Sequence, residues 1–354
     1  MRHIFVYIYI IWITAMMPLS AAGHVGYDSD VNDNSPAGGS PSSSLSLARK
    51  TRSGIIVLGS GKDVRAFEPY GGGHDNGEKY ANAVNKYKQA FGSDVNVYCM
   101  VIPTAVEYYC PDSIRSWTHD ERSAIDGIFS HLSDSVVKVD IYDVLAAHKT
   151  ENIYSRTDHH WAPLGAYYAA ECFAGKAGLA FRDLSSYDSV VVRNYVGTMY
   201  TFSKDMAVKN APEDFVYYVP RGVDYKTTYI KYRLGRNRRV TGESKPVDDS
   251  FFLRYNDGSP SAYCTFMGGD SRTVKVCTST KNGRRLLIMK DSYGNALPGY
   301  LFYSFEEIHI IDFRYFRNSV TEYVRRNGIS DMLFANNIFH ASLESTSNAY
   351  LRIM

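Results

Sequence analysis

The chain has 354 residues, of which 45% are apolar and 21% charged, so it is long enough to bury one large core and is no small stapled scaffold. Its 39 basic and 37 acidic residues leave a net charge of +2, which excludes a nucleic-acid or acidic-polymer partner held mainly by charge. The 29 tyrosines and 17 phenylalanines suit ordinary β-structure first, with the stacking of aromatic faces on sugar rings as the alternative.

In chain order, Arg2 and His3 precede an apolar run from Ile4 to Met17 and the small residues Ser20-Ala21-Ala22. That is the pattern of a secretory signal over residues 1–22; the run is short of the ~20 residues a spanning helix needs, and an uncleaved anchor is the alternative. The expected address is therefore export, to a periplasm or the extracellular space, with retention by an uncleaved N-terminal segment left open. Residues 23–53 carry Asn34-Ser35-Pro36, Gly38-Gly39-Ser40-Pro41 and a serine run, and read as a flexible linker.

The folded domain is expected over 54–354, beginning with the buried strand Gly54 to Leu58. A helix over Gly77–Phe91 follows, with Tyr80, Val84, Tyr87 and Phe91 at helical spacing. Then come a strand over Asn96–Ile102 ending at Pro103, a helix over His119–Leu132 and a strand over Val136–Tyr142. This alternation predicts parallel strands covered by helices. A helix over Pro163–Gly178 has proline in its first turn. From about 180 to 282 the character changes to strand-like runs such as Phe215–Val219 and Thr227–Tyr232, read as a β-rich insertion. The α/β alternation then resumes with strands over Arg285–Lys290, Glu307–Ile311 and Asp331–Ala335 and helices from Tyr293 and near Ser319–Arg326. Five cysteines, at 99, 110, 172, 264 and 277, permit disulfides in an exported protein; Cys99 with Cys110 and Cys264 with Cys277 are the pairs with short loops, and sequence does not fix the pairing.

Two segments carry chemistry. Lys290-Asp291-Ser292 ends a strand and opens a helix, which sets a hydroxyl beside outward-pointing amides able to stabilise an oxyanion, although Asp-Ser is also an ordinary N-cap. Arg156-Thr157-Asp158-His159-His160-Trp161 lies between a strand and a helix of the same sheet. A serine needs a base to take its proton, and the base needs an acid to fix its tautomer; Ser292, His160 and Asp158 fit those parts. In an extended segment His159 points away from its neighbours, which favours His160 as the base. No CxxC pair or HExxH motif is present, and no further acid or histidine cluster supports reading 158–160 as a metal site, so neither a metal nor another cofactor is expected.

These residues resemble a known family. Asp158-His159-His160-Trp161, with Gly165-Ala166-Tyr167 after it, is similar to the last catalytic block of SGNH hydrolases, and Lys290-Asp291-Ser292 resembles their nucleophile block with lysine in place of glycine. The serine comes last here, as in the circularly permuted branch; the chain resembles the DHHW proteins and the SGNH-like domains of alginate O-acetyltransferases. The resemblance implies a three-layer α/β fold with a mostly parallel sheet. It also implies acyl transfer through an acyl-Ser292, most often of acetyl groups onto an exported polysaccharide, with a membrane-bound O-acyltransferase as donor partner. It implies further that an asparagine, Asn336 or Asn337, helps to hold the oxyanion, and it marks Tyr293, Arg156 and Arg314 as candidates for acyl or sugar contact. A carbohydrate acetyl esterase with the same three residues, and a non-catalytic glycan-binding or assembly protein, are the rival readings.

Overall fold

The computed structural model describes residues 48–354. The expected signal segment and the expected linker as far as residue 47 lie outside the described residues. The linker was expected to reach residue 53, but the fold starts earlier: β1 (Arg49–Lys50) pairs antiparallel with β2 (Ile56–Leu58), which pairs with β3 (Arg65–Phe67). The return turn needs a left-handed residue, supplied by Gly54 at φ 84°. Arg49 ties the end down through two 2.8 Å bonds to Asp205. This small sheet is separate from the main one.

α1 (Glu78–Phe91) buries Tyr80, Val84, Tyr87 and Phe91 and stops at Gly92. After it come β4 (Asn96–Ile102), α2 (Ala105–Tyr109), α3 (Glu121–Ser130), β5 (Val136–Lys138), α4 (Tyr142–Ala147) and α5 (Pro163–Lys176). The strand expected to run to Tyr142 ends at Lys138, because the Asp140 carboxylate accepts the Tyr142 amide at 3.1 Å and turns the chain into α4.

Residues 180–282 contain β6 (Tyr187–Tyr195), α6 (Thr198–Ser203), α7 (Met206–Lys209), β7 (Glu213–Pro220), β8 (Tyr225–Leu234), β9 (Val240–Glu243), β10 (Val247–Asp248) and β11 (Arg272–Thr278). The alternation resumes with β12 (Arg285–Lys290), β13 (Glu307–Asp312), α8 (Val320–Asn327), β14 (Asp331–Asn337), α9 (Ile338–Ala341) and α10 (Glu344–Arg352).

The main sheet runs β10-β8-β11-β13-β12-β14-β4-β5, with β9 on β8. Its centre, β13 through β5, is parallel, while β11, β8, β9 and β10 extend it antiparallel. Alternate side chains of the parallel strands enter two cores. Tyr98, Met100, Ile102, Leu286 and Ile288 face one that includes Ala166, Ala170 and Phe173 of α5. Val97, Cys99, Val101, Leu287 and Met289 face the other, with Tyr80 and Tyr87 of α1 and Ile125 of α3. Helices on both faces of a sheet make the three-layer α/β fold, and this is why the strands read as unbroken apolar runs.

β12 has β13 on one side and β14 on the other, so the chain leaves it in one direction and later returns on the opposite side. Its carboxyl end is a topological switch point, the place where open α/β sheets build sites. There the expected helix from Tyr293 is instead two 3-10 turns, Ser292–Ala296 and Pro298–Leu301. Pro298 has no amide to give a helical bond to Gly294. Gly294 itself lies so close to the Lys290 stem that a Cβ there would come within 2.5 Å of the lysine Cβ.

Candidate functional site

The loop before α5 is held at several points. Tyr154 and Trp161 form an isolated antiparallel bridge, and the fully buried Trp161 donates its indole N–H to the Tyr293 carbonyl at 2.9 Å. Between them Thr157 donates its amide and its hydroxyl to Glu213 Oε1, each at 2.7 Å. Asp158 is thereby fixed at the floor. Its Oδ1 accepts the His160 amide at 3.0 Å and meets His160 Nδ1 at 2.6 Å; its Oδ2 accepts the amide and hydroxyl of Thr198 at 2.8 and 2.9 Å. Gly197 permits that approach, since a Cβ there would lie 2.3 Å from Asp158 Oδ2. Burial alone would raise the Asp158 pKa, but the charge and hydrogen bond of His160, with His159 and the Thr198 amide, outweigh it and hold the carboxyl well below its usual range.

On the far side of the same imidazole, His160 Nε2 lies 2.9 Å from Ser292 Oγ. The sequence reading named Asp158, His160 and Ser292, and the fold brings them into one hydrogen-bonded row although 132 residues separate the last two. His159 does not point away as an extended segment would require. The Asp158 side chain turns the chain, and the His159 ring lies 3.7 Å from that of His160, with Nδ1 2.5 Å from Thr198 Oγ1. Burial and the neighbouring His160 push the His159 pKa down to about 3. One donor atom from each of Asp158, His159 and His160 falls within 4.8 Å of the others, a spacing a metal ion would accept. Those groups are already hydrogen-bonded to one another, to Thr198 and to Ser292.

Ser292 rides on a turn braced from below. The Asp291 carboxylate accepts the amides of Tyr293 at 2.9 Å and Asn337 at 2.8 Å and lies 3.3 Å from His340 Nδ1. Burial raises its pKa, but the hydrogen bond and charge of His340, then Arg314 and the Asn337 amide, bring it down to about 2. Lys290, 2% exposed, reaches Asp312 at 3.0 Å and Asp270 at 3.1 Å, and Asp270 accepts Asn295 Nδ2 at 2.9 Å.

Five other expected residues have structural partners instead. Asn336 accepts the hydroxyls of Tyr80 and Tyr350 at 2.8 and 2.7 Å and turns its amide toward Asp291 at 3.3 Å. Asn337 caps α9 by accepting the His340 amide. Asn336 is thereby committed to Asp291 and the two tyrosines, and the Asn337 side-chain oxygen to α9. Arg156 spends its guanidinium on the carbonyls of Lys62, Val64 and Pro212. Arg314 is bound to Asp312 and Asp270. The Tyr293 hydroxyl donates to the His159 carbonyl. The disulfides that the sequence permits do not form: all five cysteines are free. Cys99 and Cys110 lie in the cores on opposite faces of the sheet, which no short loop can bridge.

The unforeseen residues come from 180–282. Thr198 completes the shell of Asp158, and Asp270 joins Lys290 to Asn295. Tyr263 stacks on His160 with centroids 3.8 Å apart and planes 7° from parallel, and its hydroxyl lies 3.0 Å from the carbonyls of both Ser292 and Tyr293. A tyrosine among 29 and a threonine after glycine carry no local signal of such roles.

The sequence profile of the DHHW protein family matches residues 27–311. The chain belongs to the DHHW family. A crystal structure of a DHHW family protein from Eubacterium siraeum DSM 15702 is 38% identical, with a TM-score of 0.77 over 87% of this chain and 98% of that one. Bacillus cereus PatB1, solved with a sulfonyl adduct, is 18% identical, with a TM-score of 0.64 over 82% of this chain and 97% of that one, and shares the fold. The O-acetyltransferase domain of Pseudomonas putida AlgJ matches more loosely, at 13% identity and a TM-score of 0.45 over 81% of this chain and 92% of that one. No curated protein matches the chain. The DHHW family protein and PatB1 thus share the three-layer α/β fold described above. Among the described residues, no helix is long and apolar enough to cross a membrane.

Proposed function

We propose that this DHHW protein is a serine-dependent acyltransferase that O-acetylates an exported polysaccharide through an acyl-Ser292 intermediate. The observation that carries the reading is the row Asp158 Oδ1, His160 Nδ1, His160 Nε2, Ser292 Oγ, with contacts of 2.6 and 2.9 Å. A hydroxyl at 2.9 Å from an imidazole nitrogen is within reach of proton transfer, and an ionised acid on the other nitrogen fixes the tautomer that leaves Nε2 free to accept.

In the first half, the Ser292 oxygen attacks the acyl carbonyl while His160 takes its proton; the C–O bond to the donor then breaks and His160 returns the proton to the leaving group. In the second half, a sugar hydroxyl gives its proton to His160, its oxygen attacks the acyl carbon, and Ser292 leaves and recovers a proton. Asp158 stays ionised throughout and stabilises the imidazolium. In this reading the protein works outside the cytoplasm, and a membrane-bound O-acyltransferase supplies the acyl group. Attack by water in the second half would make the protein a carbohydrate acetyl esterase with the same residues.

The test is release of 4-nitrophenol from 4-nitrophenyl acetate. Ser292→Ala should lower kcat by about 10³-fold or more. Equal rates for variant and wild type would remove Ser292 as nucleophile and return the protein to the glycan-binding class.

A further inference from the structure

A narrow cleft opens beside the Asp158 carboxylate, walled by Phe67, Val106 and Met199 and by the polar residues Glu68, Thr104, His159 and Tyr293. The free space in it is about 10 Å³. That is room for one water molecule or one hydroxyl group.

Some of its polar groups are satisfied and two are left over. Thr104 donates its hydroxyl to Glu121 at 2.6 Å, Tyr293 donates to the His159 carbonyl, and both oxygens of Asp158 are shared between His160 and Thr198. The Thr198 hydroxyl has a single proton, which goes to Asp158 Oδ2. The short contact between Thr198 Oγ1 and His159 Nδ1 therefore has the histidine as donor. His159 is in this way fixed as the Nδ1–H tautomer, and Nε2 is left as a lone-pair acceptor. Neither that nitrogen nor the Glu68 carboxyl makes a hydrogen bond to the described residues.

We infer that Glu68 and His159 Nε2 form a subsite for a single hydroxyl group of a neutral carbohydrate, held beside the Asp158–His160–Ser292 row. A hydroxyl donates once and accepts, and a carboxylic acid and an unprotonated imidazole nitrogen lining one cleft offer the complement. Burial, then the nearby Asp158 charge, pushes the Glu68 pKa up to about 7, so the carboxyl keeps its proton in mildly acidic solution. Once Glu68 ionises, the cleft presents two acceptors to one hydroxyl proton and repels anionic sugars. The other titratable groups facing it hold their state across this range: Asp158 ionised, His159 neutral with a pKa near 3, Tyr293 neutral. Glu121, behind Thr104, is pushed up to about 8. Substitution of Glu68 alone separates the two acids.

The biological purpose of such a subsite rests on the acyl-transfer reading, but its geometry does not, so the test is binding to full-length Ser292→Ala protein, which does no acyl chemistry. Xylotetraose, cellotetraose and chitotetraose are titrated by calorimetry at pH 6, with tetragalacturonate as the anionic comparison. At least one neutral oligosaccharide should bind, and in a parallel titration at pH 8.5, where Glu68 is ionised, it should bind more tightly than the uronate. Adding Glu68→Ala should weaken it about tenfold, the effect of losing one hydrogen bond to a half-buried acid. Glu68→Gln, whose amide both donates and accepts, should stay within about threefold by the same measure and should remove the weakening that Glu68 shows between pH 6 and pH 8.5. The inference is overturned if none of the three sugars binds. It is also overturned if Glu68→Ala, melting as cooperatively as its parent, binds equally well, in which case the cleft holds water only. Failure of Ser292 as nucleophile would appear in the nitrophenyl acetate assay and leave the titration unchanged.

Discussion

The parallel centre of the sheet and the segment 180–282 contribute to the site in different ways. The first carries the three residues of the hydrogen-bonded row, on the turn after β12 and on the loop before α5. The second carries no member of that row, yet it supplies Thr198 under Asp158, Tyr263 over His160, and Asp270 between Lys290 and Asn295. The difference teaches that the proposed reacting groups belong to the frame, while the insertion adds contacts that orient Asp158 and His160. Chemistry of this kind depends on orientation, because a misplacement of about 1 Å costs around 10²-fold in rate.

Lys290→Met would break this division at its most buried joint. Lys290 is 2% exposed and shares Asp270 and Asp312 with Arg314; its loss leaves the buried Asp312 and the half-buried Asp270 to one guanidinium. Removing one partner of a buried ion pair costs about 3–5 kcal/mol. A urea midpoint shift of that order is expected, together with lost activity as the turn under Ser292 loosens; an unchanged midpoint would show that the frame stands without the insertion.

Tyr263 sharpens the comparison on the catalytic side. Tyr263→Leu removes both the stack on His160 and the bonds to the Ser292 and Tyr293 carbonyls and should lower kcat for nitrophenyl acetate by roughly 10²-fold. Tyr263→Phe keeps the ring and should lose roughly tenfold, the value of one or two neutral hydrogen bonds. Equal losses would mean that the hydroxyl, not the stack, holds the base.

The smallest effect concerns stability. The Glu68 pKa is raised in the folded protein from 4.5 to about 7, so the folded state binds the proton more tightly. Stability from this group is complete below about pH 4.5 and is lost as pH rises through 7. Glu68→Gln should remove that loss: its Tm relative to wild type should climb by a few degrees between pH 4.5 and pH 7 and then level off. A difference independent of pH would show that Glu68 is not buried as described.

Much of the frame was legible because its signals are local. An acid and a histidine two residues apart, and an Asp-Ser at the end of an apolar run, each announce a part. The strands of the parallel centre are apolar on both faces and could be read as such. What was not legible depends on contacts distant in sequence. Nothing in Gly294 reveals that the Lys290 stem occupies the space a helix would need, so the turn after Ser292 was expected to be helical. Asn336 and Asn337 end β14, and only the fold shows Tyr80, Tyr350 and Asp291 claiming the Asn336 side chain and α9 claiming the Asn337 side-chain oxygen. The roles of Thr198 and Tyr263 arise entirely from packing.

The central claim is that Ser292 is a nucleophile activated by His160. Full-length protein is treated with an activated acetyl ester or a sulfonylating agent, digested, and its peptides weighed by mass spectrometry. The account predicts one acetyl or sulfonyl group on the peptide containing Ser292 in wild type and none on that peptide in His160→Ala. An unmodified Ser292 peptide in wild type, or equal modification in both proteins, would contradict it.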